Sequence, residues 1–159
     1  HQSLQSKTNE ANTIPLRAPL MSQPAYIHRL RVRYGETDQM GVVYHGNYFP
    51  FLESGRVEAI RSLGMSYADL EKIGIQMPVV EIQCKYLRPA RYDDLLRVLT
   101  SLPKLPTDHR IEFHQEIYRD SDELLFKAQI KLYFWDKDKN EKTVMPAALL
   151  DRLKSFYHE

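Results

Sequence analysis

An acid, two glycines and a histidine lie within the short stretch from Asp38 to Asn47. Asp38 and Gly41 occupy the first and fourth places of a candidate type I turn, which is an ordinary loop when taken alone. A helix-like run begins near Asn47, so the free N–H groups of its first turn point toward the same region. Acyl transfer needs this combination, because backbone donors stabilise the carbonyl oxygen as it gains negative charge while a carboxylate activates water or attacks directly. Gly46 allows a ligand to approach the backbone closely.

The other candidate sites lack the residues that their chemistry requires. The acidic turn at 136–142 has Glu141 where a calcium loop needs Gly and Ala147 where it needs Glu, so we interpret it as a solvated turn. The histidines are scattered without a cysteine partner, and neither a nucleophile elbow nor a phosphate-binding glycine loop is present. We therefore predict no metal site, and we interpret the thiol of Cys84 as an inert core group on the inner face of a strand.

The composition is that of an ordinary globular protein, with 159 residues of which 43% are hydrophobic and 27% charged. The formal net charge of +1 argues against nucleic acid as the main partner but leaves room for a local basic patch that binds a small anion. Cys84 is the only cysteine, which suits a reducing compartment and favours a cytoplasmic location. The apolar runs are short, so we expect neither a membrane span nor a secretory signal.

The first residues differ from the rest of the chain, because they are polar and show no periodicity. We expect residues 1–25 to be a leader that is either disordered or foreign to the native protein, with Met21 as a candidate native start. Residues 26–159 are then expected to form a single domain, which agrees with the length of the chain.

Alternation of apolar and polar residues predicts five strands. They lie at 26–34, 79–86, 95–101, 110–119 and 125–135. The turn residues at 120–122 predict a hairpin between the last two strands. The strands have one apolar and one largely polar face, which is typical of an antiparallel sheet covered on one side.

The cover of this sheet is predicted to be a helix over 47–64. Its inward stripe, at helical spacing, consists of Tyr48, Leu52, Gly55, Ala59 and Leu63. Asn47 is a candidate N-cap and Gly64 a candidate stop, and Pro50 falls where its missing N–H costs no helical bond. A short helix capped by Ser66 and a C-terminal helix that opens at Pro146 are also predicted. Since one helix and five strands leave two open sheet edges, we expect a homodimer through edge strands, or a dimer of dimers.

The residues from Tyr34 to Arg56 resemble the 4-hydroxybenzoyl-CoA thioesterase family of the hotdog fold. The matching residues are Tyr34, Thr37, Asp38, Gly41, Val42, Val43, Tyr44, His45, Asn47, Tyr48, Glu53 and Arg56, and the later segment 85–96 is also similar. Over about residues 26–140 the chain looks most similar to the acyl-CoA thioesterases encoded beside the bacterial Tol–Pal genes. The resemblance implies an α+β hotdog domain, with a five-stranded antiparallel sheet wrapped around one long helix. It also implies dimers joined edge to edge, usually assembled into tetramers, with active sites at the dimer interface near the helix start.

The resemblance further implies an enzyme, an acyl-CoA thioester hydrolase that releases a free acid and CoA without a cofactor beyond the CoA of its substrate. Asp38 is then the catalytic carboxylate, either as nucleophile or as general base. The backbone N–H at the His45 position polarises the thioester carbonyl, and the side chains of His45 and Tyr34 assist. The residues expected to bind substrate are Gly41, Val43, Tyr44, Gly46, Asn47 and Tyr48 around the pocket, with Lys85, Arg88 and Arg91 near the CoA nucleotide.

Some features leave alternatives open. Met40 and Pro50 depart from the family pattern near the acyl pocket, so the acyl group stays undetermined. Glu53 is a second candidate acid, as in a different thioesterase branch, but it lacks the glycines that surround the acid there. Asp38 and His45 are seven residues apart, whereas hotdog hydratases need a spacing of five. The alternative function is a non-catalytic acyl-CoA-binding or assembly module, which would keep the fold and the basic patch without needing Asp38.

Overall fold

The main layer of the fold is a five-stranded antiparallel sheet. The structure, a computed structural model, describes residues 25–157. The strands of this sheet are β1 (Ala25–Arg31), β3 (Val79–Tyr86), β4 (Leu95–Ser101), β5 (Arg110–Arg119) and β6 (Leu124–Tyr133), in the spatial order β1-β4-β5-β6-β3. The five predicted strands and the β5–β6 hairpin are confirmed. The predicted leader lies outside the described residues, except for Ala25, which opens β1.

One long helix, α1 (Tyr48–Ser62), packs against β1 and β4. A 3-10 turn at His45–Asn47 leads into it, and Gly64, with a φ of +94°, follows its end. The residues that α1 buries are Tyr48, Phe51, Leu52, Gly55, Arg56 and Ile60. The predicted α+β arrangement, a sheet with one long helix on it, is therefore confirmed.

Two shorter helices follow the predicted signals. In α2 (Tyr67–Lys72) the backbone N–H of Asp69 donates to Ser66 Oγ at 3.1 Å, which is the capping bond expected at this residue. The C-terminal helix α3 (Ala147–Lys154) has Pro146 at its N-cap and buries Leu149 and Leu153 against the core.

Three polar residues are buried between α1 and the sheet: Arg56, Thr100 and Gln115. The Gln115 Nε2 donates to Thr100 Oγ1 at 2.7 Å and to the carbonyl of Leu52 at 2.9 Å, while its Oε1 accepts from Arg56 Nη1 at 3.0 Å. Because buried polar groups are costly without partners, these bonds favour one placement of α1 on β4 and β5.

The chain between β1 and α1 differs from the prediction in two places. β1 ends at Arg31 rather than extending to Tyr34, because the Glu36 carboxylate accepts from the Arg33 N–H at 2.6 Å and closes a 3-10 turn over Tyr34–Glu36. Asn47 occupies the N-cap place of α1, but its side chain makes no capping bond. Its amide instead donates to the carbonyl of Glu36 at 2.9 Å, which ties the helix start to the end of this turn.

The inner face predicted for β3 is not buried within this chain. Val80 and Ile82 are 46% and 37% exposed. Cys84 is half-buried and packs against the core, so the predicted core position of its thiol is confirmed only in part. This face is exposed because β3 lies at the edge of the sheet. β3 hydrogen-bonds only to β6, and its other edge carries no strand within residues 25–157.

A second, three-stranded sheet was not predicted. It consists of β2 (Ile75–Gln76), β7 (Trp135–Asp136) and β8 (Glu141–Lys142), and residues 137–140 of the acidic segment form the turn between the last two. Strands of two residues are too short to show a period of two, which is why alternation could not reveal them. Among the described residues, no helix is long and apolar enough to cross a membrane.

Candidate active site

Asp38 opens a tight turn between β1 and α1. The Gly41 N–H donates to the carbonyl of Asp38 at 3.0 Å, and Gly41 has a φ of +78°, a conformation that glycine adopts without strain. An isolated bridge between Thr37 and Val43 closes the loop, together with a bond of 2.9 Å from the Asp38 N–H to the carbonyl of Val42. The predicted turn from Asp38 to Gly41 is confirmed.

The Asp38 carboxylate is half-buried and only partly engaged. Its Oδ1 accepts a hydrogen bond from the Met40 N–H at 2.8 Å, which fixes the orientation of the carboxylate. Within residues 25–157, no hydrogen bond or ion pair reaches its Oδ2. One oxygen therefore holds the group in place, while the other is available to a ligand or a water molecule.

The loop and the helix start are joined at the carbonyl of Glu36. This oxygen accepts from the Tyr44 N–H at 3.0 Å and from the Asn47 amide at 2.9 Å. The Val43 N–H donates to the carbonyl of Ala90 at 2.8 Å on the other side. The segment that carries Asp38 thus has a fixed relation to the first residues of α1.

Two backbone donors at the helix start have no acceptor in the described part of the chain. They are the N–H groups of His45 and Gly46, at the first two places of the 3-10 turn. The side chain of His45 is exposed, and its ring lies 4.3 Å from that of Tyr44, centroid to centroid. Anions and carbonyl oxygens bind well at such a place, because free N–H groups and the helix dipole act together.

The first α-helical residue, Tyr48, belongs to an aromatic cluster under the loop. Its ring stacks on Phe126 at 4.9 Å, and its hydroxyl accepts from the Ala90 N–H at 3.1 Å. Burial raises the pKa of Tyr48, so the hydroxyl stays neutral at physiological pH. Tyr48 therefore anchors the helix start, and this structural role is more specific than the pocket position predicted for it.

Tyr34 lies at the surface rather than inside a pocket. It is 77% exposed, and its ring meets that of Tyr92 edge to face at 5.7 Å. Tyr92, 57% exposed, was missed in the sequence, because nothing local marks a loop residue that becomes a neighbour only through folding. The two rings form an exposed aromatic pair on the segments that flank Asp38.

The three basic residues proposed for the CoA nucleotide have different surroundings. Arg88 forms an ion pair with Glu123 at 3.3 Å, which satisfies part of its charge. Lys85 pairs with Lys127 and lines an open groove on the outer face of the sheet. The next residue, Tyr86, points to the other face, because successive side chains of a strand alternate. Arg91 is exposed, its backbone pairs with Val42 beside the Asp38 turn, and none of the ion pairs within residues 25–157 includes its guanidinium. The structure therefore brings Arg91, of the three, to the loop.

A second arginine, Arg119, stabilises the segment that contacts this loop, and the sequence did not predict this role. Arg119 contacts the carboxylate of Asp94 and donates to Glu123 at 2.9 Å and to the carbonyl of Pro89 at 2.8 Å. These bonds hold the segment that contains Ala90, whose backbone contacts the active-site loop. The rival acid Glu53 is exposed on α1, and no cluster of metal-binding side chains occurs among residues 25–157.

Several known proteins are similar to this chain. The model of the thioesterase-like superfamily matches residues 32–153. The Bacillus subtilis protein YneP is 38% identical over 109 residues, which cover 69% of this chain and 78% of that protein. The Escherichia coli acyl-CoA thioester hydrolase YbgC is 30% identical over 125 residues, covering 79% and 92% of the two chains. The crystal structure of a DHNA-CoA thioesterase from Staphylococcus aureus superposes with a TM-score of 0.71 at 34% identity, covering 76% of this chain and 80% of that one.

Proposed function

This chain belongs to the thioesterase-like superfamily, and we propose that it hydrolyses acyl-CoA thioesters with Asp38 as the catalytic carboxylate. The relatives named as acyl-CoA thioester hydrolase and DHNA-CoA thioesterase support the reaction. The observation that carries the residue assignment is the pair of hydrogen bonds to the Glu36 carbonyl. They link the turn of Asp38 to a helix start with two N–H groups that have no acceptor within residues 25–157. A carboxylate and donors so connected are the two components that thioester hydrolysis requires.

In the proposed reaction the thioester oxygen accepts hydrogen bonds from the free N–H groups at His45 and Gly46. These donors stabilise the oxyanion that forms when the carbonyl carbon is attacked. Asp38 either attacks that carbon through Oδ2, giving an anhydride that water then hydrolyses, or removes a proton from the attacking water. In both routes the C–S bond breaks, CoA leaves as the thiolate, and the acyl group leaves as the free acid. The proposal includes no cofactor beyond the CoA of the substrate.

The proposed position of the CoA nucleotide is beside Arg91. Arg91 is exposed and its backbone lies beside the Asp38 turn, so it suits a phosphate there, since arginine binds phosphate oxygens with paired donors. Arg88 contributes less, because Glu123 already pairs with it, and Lys85 is left on the outer sheet face. The cytoplasmic location expected from the lone cysteine remains a prediction.

The proposed active unit is a homodimer formed through β3, alone or within a dimer of dimers. β3 is an edge strand of eight residues with exposed apolar side chains, including Val80 and Ile82. Pairing with the same strand of a second copy would satisfy its open edge and cover these side chains. Light scattering tests this, because a single species at the monomer mass of 18.7 kDa contradicts it.

The test of the catalytic assignment is Asp38→Asn. Asparagine keeps an oxygen that can accept from the Met40 N–H, so the turn is expected to fold, but it cannot attack or remove a proton. We expect turnover to fall by about 100-fold or more, the usual contribution of such a group. The matched control is Glu53→Gln, which removes the rival acid on α1 and is expected to keep wild-type turnover.

The assay is release of free thiol from a panel of acyl-CoA substrates of different chain length and of aromatic type. Full turnover by Asp38→Asn on every hydrolysed substrate contradicts the assignment, as does a loss confined to Glu53→Gln. Binding of acyl-CoA without thiol release by the wild-type protein would instead support the non-catalytic binding module.

A further inference from the structure

The side chain of Tyr86 connects the end of β3 to the helix start. Its hydroxyl donates to the carbonyl oxygen of His45 at 2.8 Å, across 41 residues of sequence. Tyr86 is the last residue of β3, and His45 is the first residue of the 3-10 turn before α1. The bond therefore joins an edge strand of the sheet to the backbone that carries the proposed donors.

The direction of the Tyr86 ring is fixed although the residue is 47% exposed. Its ring centroid lies 5.3 Å from that of Tyr48 and 4.9 Å from that of Phe126, with interplanar angles of 89° and 78°, so the contacts are edge to face. Edge-to-face contacts of this kind are favourable. Burial, the largest influence, raises the pKa of Tyr86, so its hydroxyl is a proton donor at neutral pH.

The bond determines where a peptide group points. The C=O and N–H of one peptide point in opposite directions, so a His45 carbonyl held toward Tyr86 directs the Gly46 N–H away from it. The preceding peptide is held likewise, because the carbonyl of Tyr44 accepts from the Asn47 N–H at 2.8 Å and directs the His45 N–H. Each of the two N–H groups that lack an acceptor within residues 25–157 thus belongs to a peptide whose carbonyl is fixed.

We propose that Tyr86 is a positioning residue, which holds the His45–Gly46 peptide so that its N–H serves as a second donor to the thioester oxygen. This inference rests on the proposed thioesterase function. Tyr86 acts through the peptide rather than on the substrate. Its hydrogen bond polarises that peptide and strengthens the opposite N–H as a donor. It also removes the need to reorient the peptide when the oxyanion forms, which is where fixed donors contribute most.

The experiment is Tyr86→Phe in the full-length protein, assayed by thiol release on the acyl-CoA that the wild type hydrolyses best. Phenylalanine keeps the ring contacts with Tyr48 and Phe126 and removes only the hydroxyl. We expect kcat to fall about three- to tenfold, the equivalent of one neutral hydrogen bond, with KM unchanged. The mass in light scattering should stay at the wild-type value, and the thermal midpoint should fall by no more than the few degrees that one hydrogen bond contributes.

The matched control is Tyr133→Phe, at the last place of β6 and the opposite end of the sheet from Tyr86. It should leave kcat unchanged. An unchanged kcat in Tyr86→Phe overturns the inference. The same holds for a loss of activity that comes with a higher KM, with a fall in the thermal midpoint larger than one hydrogen bond explains, or with a dissociated oligomer. Asp38→Asn distinguishes a failure of this inference from a failure of the proposed function. If Asp38→Asn loses turnover while Tyr86→Phe does not, only the inference about Tyr86 fails.

Discussion

Gly55 offers a sharp test of how closely α1 lies on the sheet. A Cβ at this residue would stand 2.7 Å from Val98 Cγ1, 2.9 Å from Thr100 Oγ1 and 3.1 Å from Gln115 Nε2. Real Cβ atoms essentially never come within 3.0 Å of another atom, so Gly55→Ala must move either the helix or the side chains of Val98 and Thr100, and Gln115 must shift by a few tenths of an ångström. Gln115 has little freedom, because its amide donates to Thr100 and to the helix carbonyl of Leu52.

The magnitude follows from three opposing contributions. Overpacking of a core costs about 1–3 kcal/mol, and loss of a buried hydrogen bond in the Gln115 group costs about 1–3 kcal/mol more. Alanine returns about 1 kcal/mol through its higher helix propensity. We therefore expect the free energy of unfolding to fall by about 1–5 kcal/mol, and the middle of this range lowers the thermal midpoint by roughly 10 °C. The measurement is urea unfolding at one fixed protein concentration, since oligomerisation adds to apparent stability.

Two further variants show whether the clash is the cause. Ser54→Ala changes the adjacent, exposed residue of α1 and should raise stability by a few tenths of a kcal/mol at most. Val98→Ala removes the closest contact, so its combination with Gly55→Ala should cost less than the sum of the two single changes. A Gly55→Ala protein as stable as the wild type would refute the close approach of α1 and the sheet.

Two more stability predictions follow from local contacts. Ser66→Ala removes the capping bond to the Asp69 N–H and should lower the free energy of unfolding by about 1 kcal/mol in urea, with thioesterase turnover unchanged. Burial raises the pKa of Tyr157, whose hydroxyl donates to the carbonyl of Leu102 at 2.6 Å, so the unfolded chain releases this proton more readily than the folded chain. The hydroxyl of Tyr157 therefore contributes fully to stability below the unfolded pKa of about 10, and this contribution is lost as the pH rises further. We expect Tyr157→Phe to reduce the fall in the free energy of unfolding above about pH 10. An unchanged slope would contradict this expectation.

The elements of the fold could be predicted because their signals are local and repeated. Alternation over seven to ten residues defined the strands, as in β5, where Ile111 and Phe113 face the core. Helical spacing placed Gly55 on the inward stripe of α1, and Ser66 indicated a helix start. The exposed inner face of β3 escaped prediction because alternation identifies a face but not what covers it. For the edge strand β3, the proposed cover is a second copy of the chain, which no pattern in the sequence reveals.

The support of the site could not be predicted, because it depends on contacts between distant segments. Asp38, Gly41 and the helix start lie within ten residues of each other, so their spacing alone reveals a turn before a helix. Tyr86 and Arg119 reach the site only through the register of the strands that carry them. No local pattern distinguishes a tyrosine that supports a peptide from one that merely packs, and the same holds for an arginine that supports a loop.

The contacts of the site also explain why its geometry depends on both edges of the sheet. The turn of Asp38 continues from β1, and the carbonyl of Glu36 ties it to the helix start. The same helix start is held from the other edge, through Tyr86 at the end of β3. Since β1 and β3 are the two edge strands, a change in sheet twist displaces them more than any other pair. A second copy paired along β3 would limit that twist, so loss of the dimer should lower kcat even where every side chain of the site is retained.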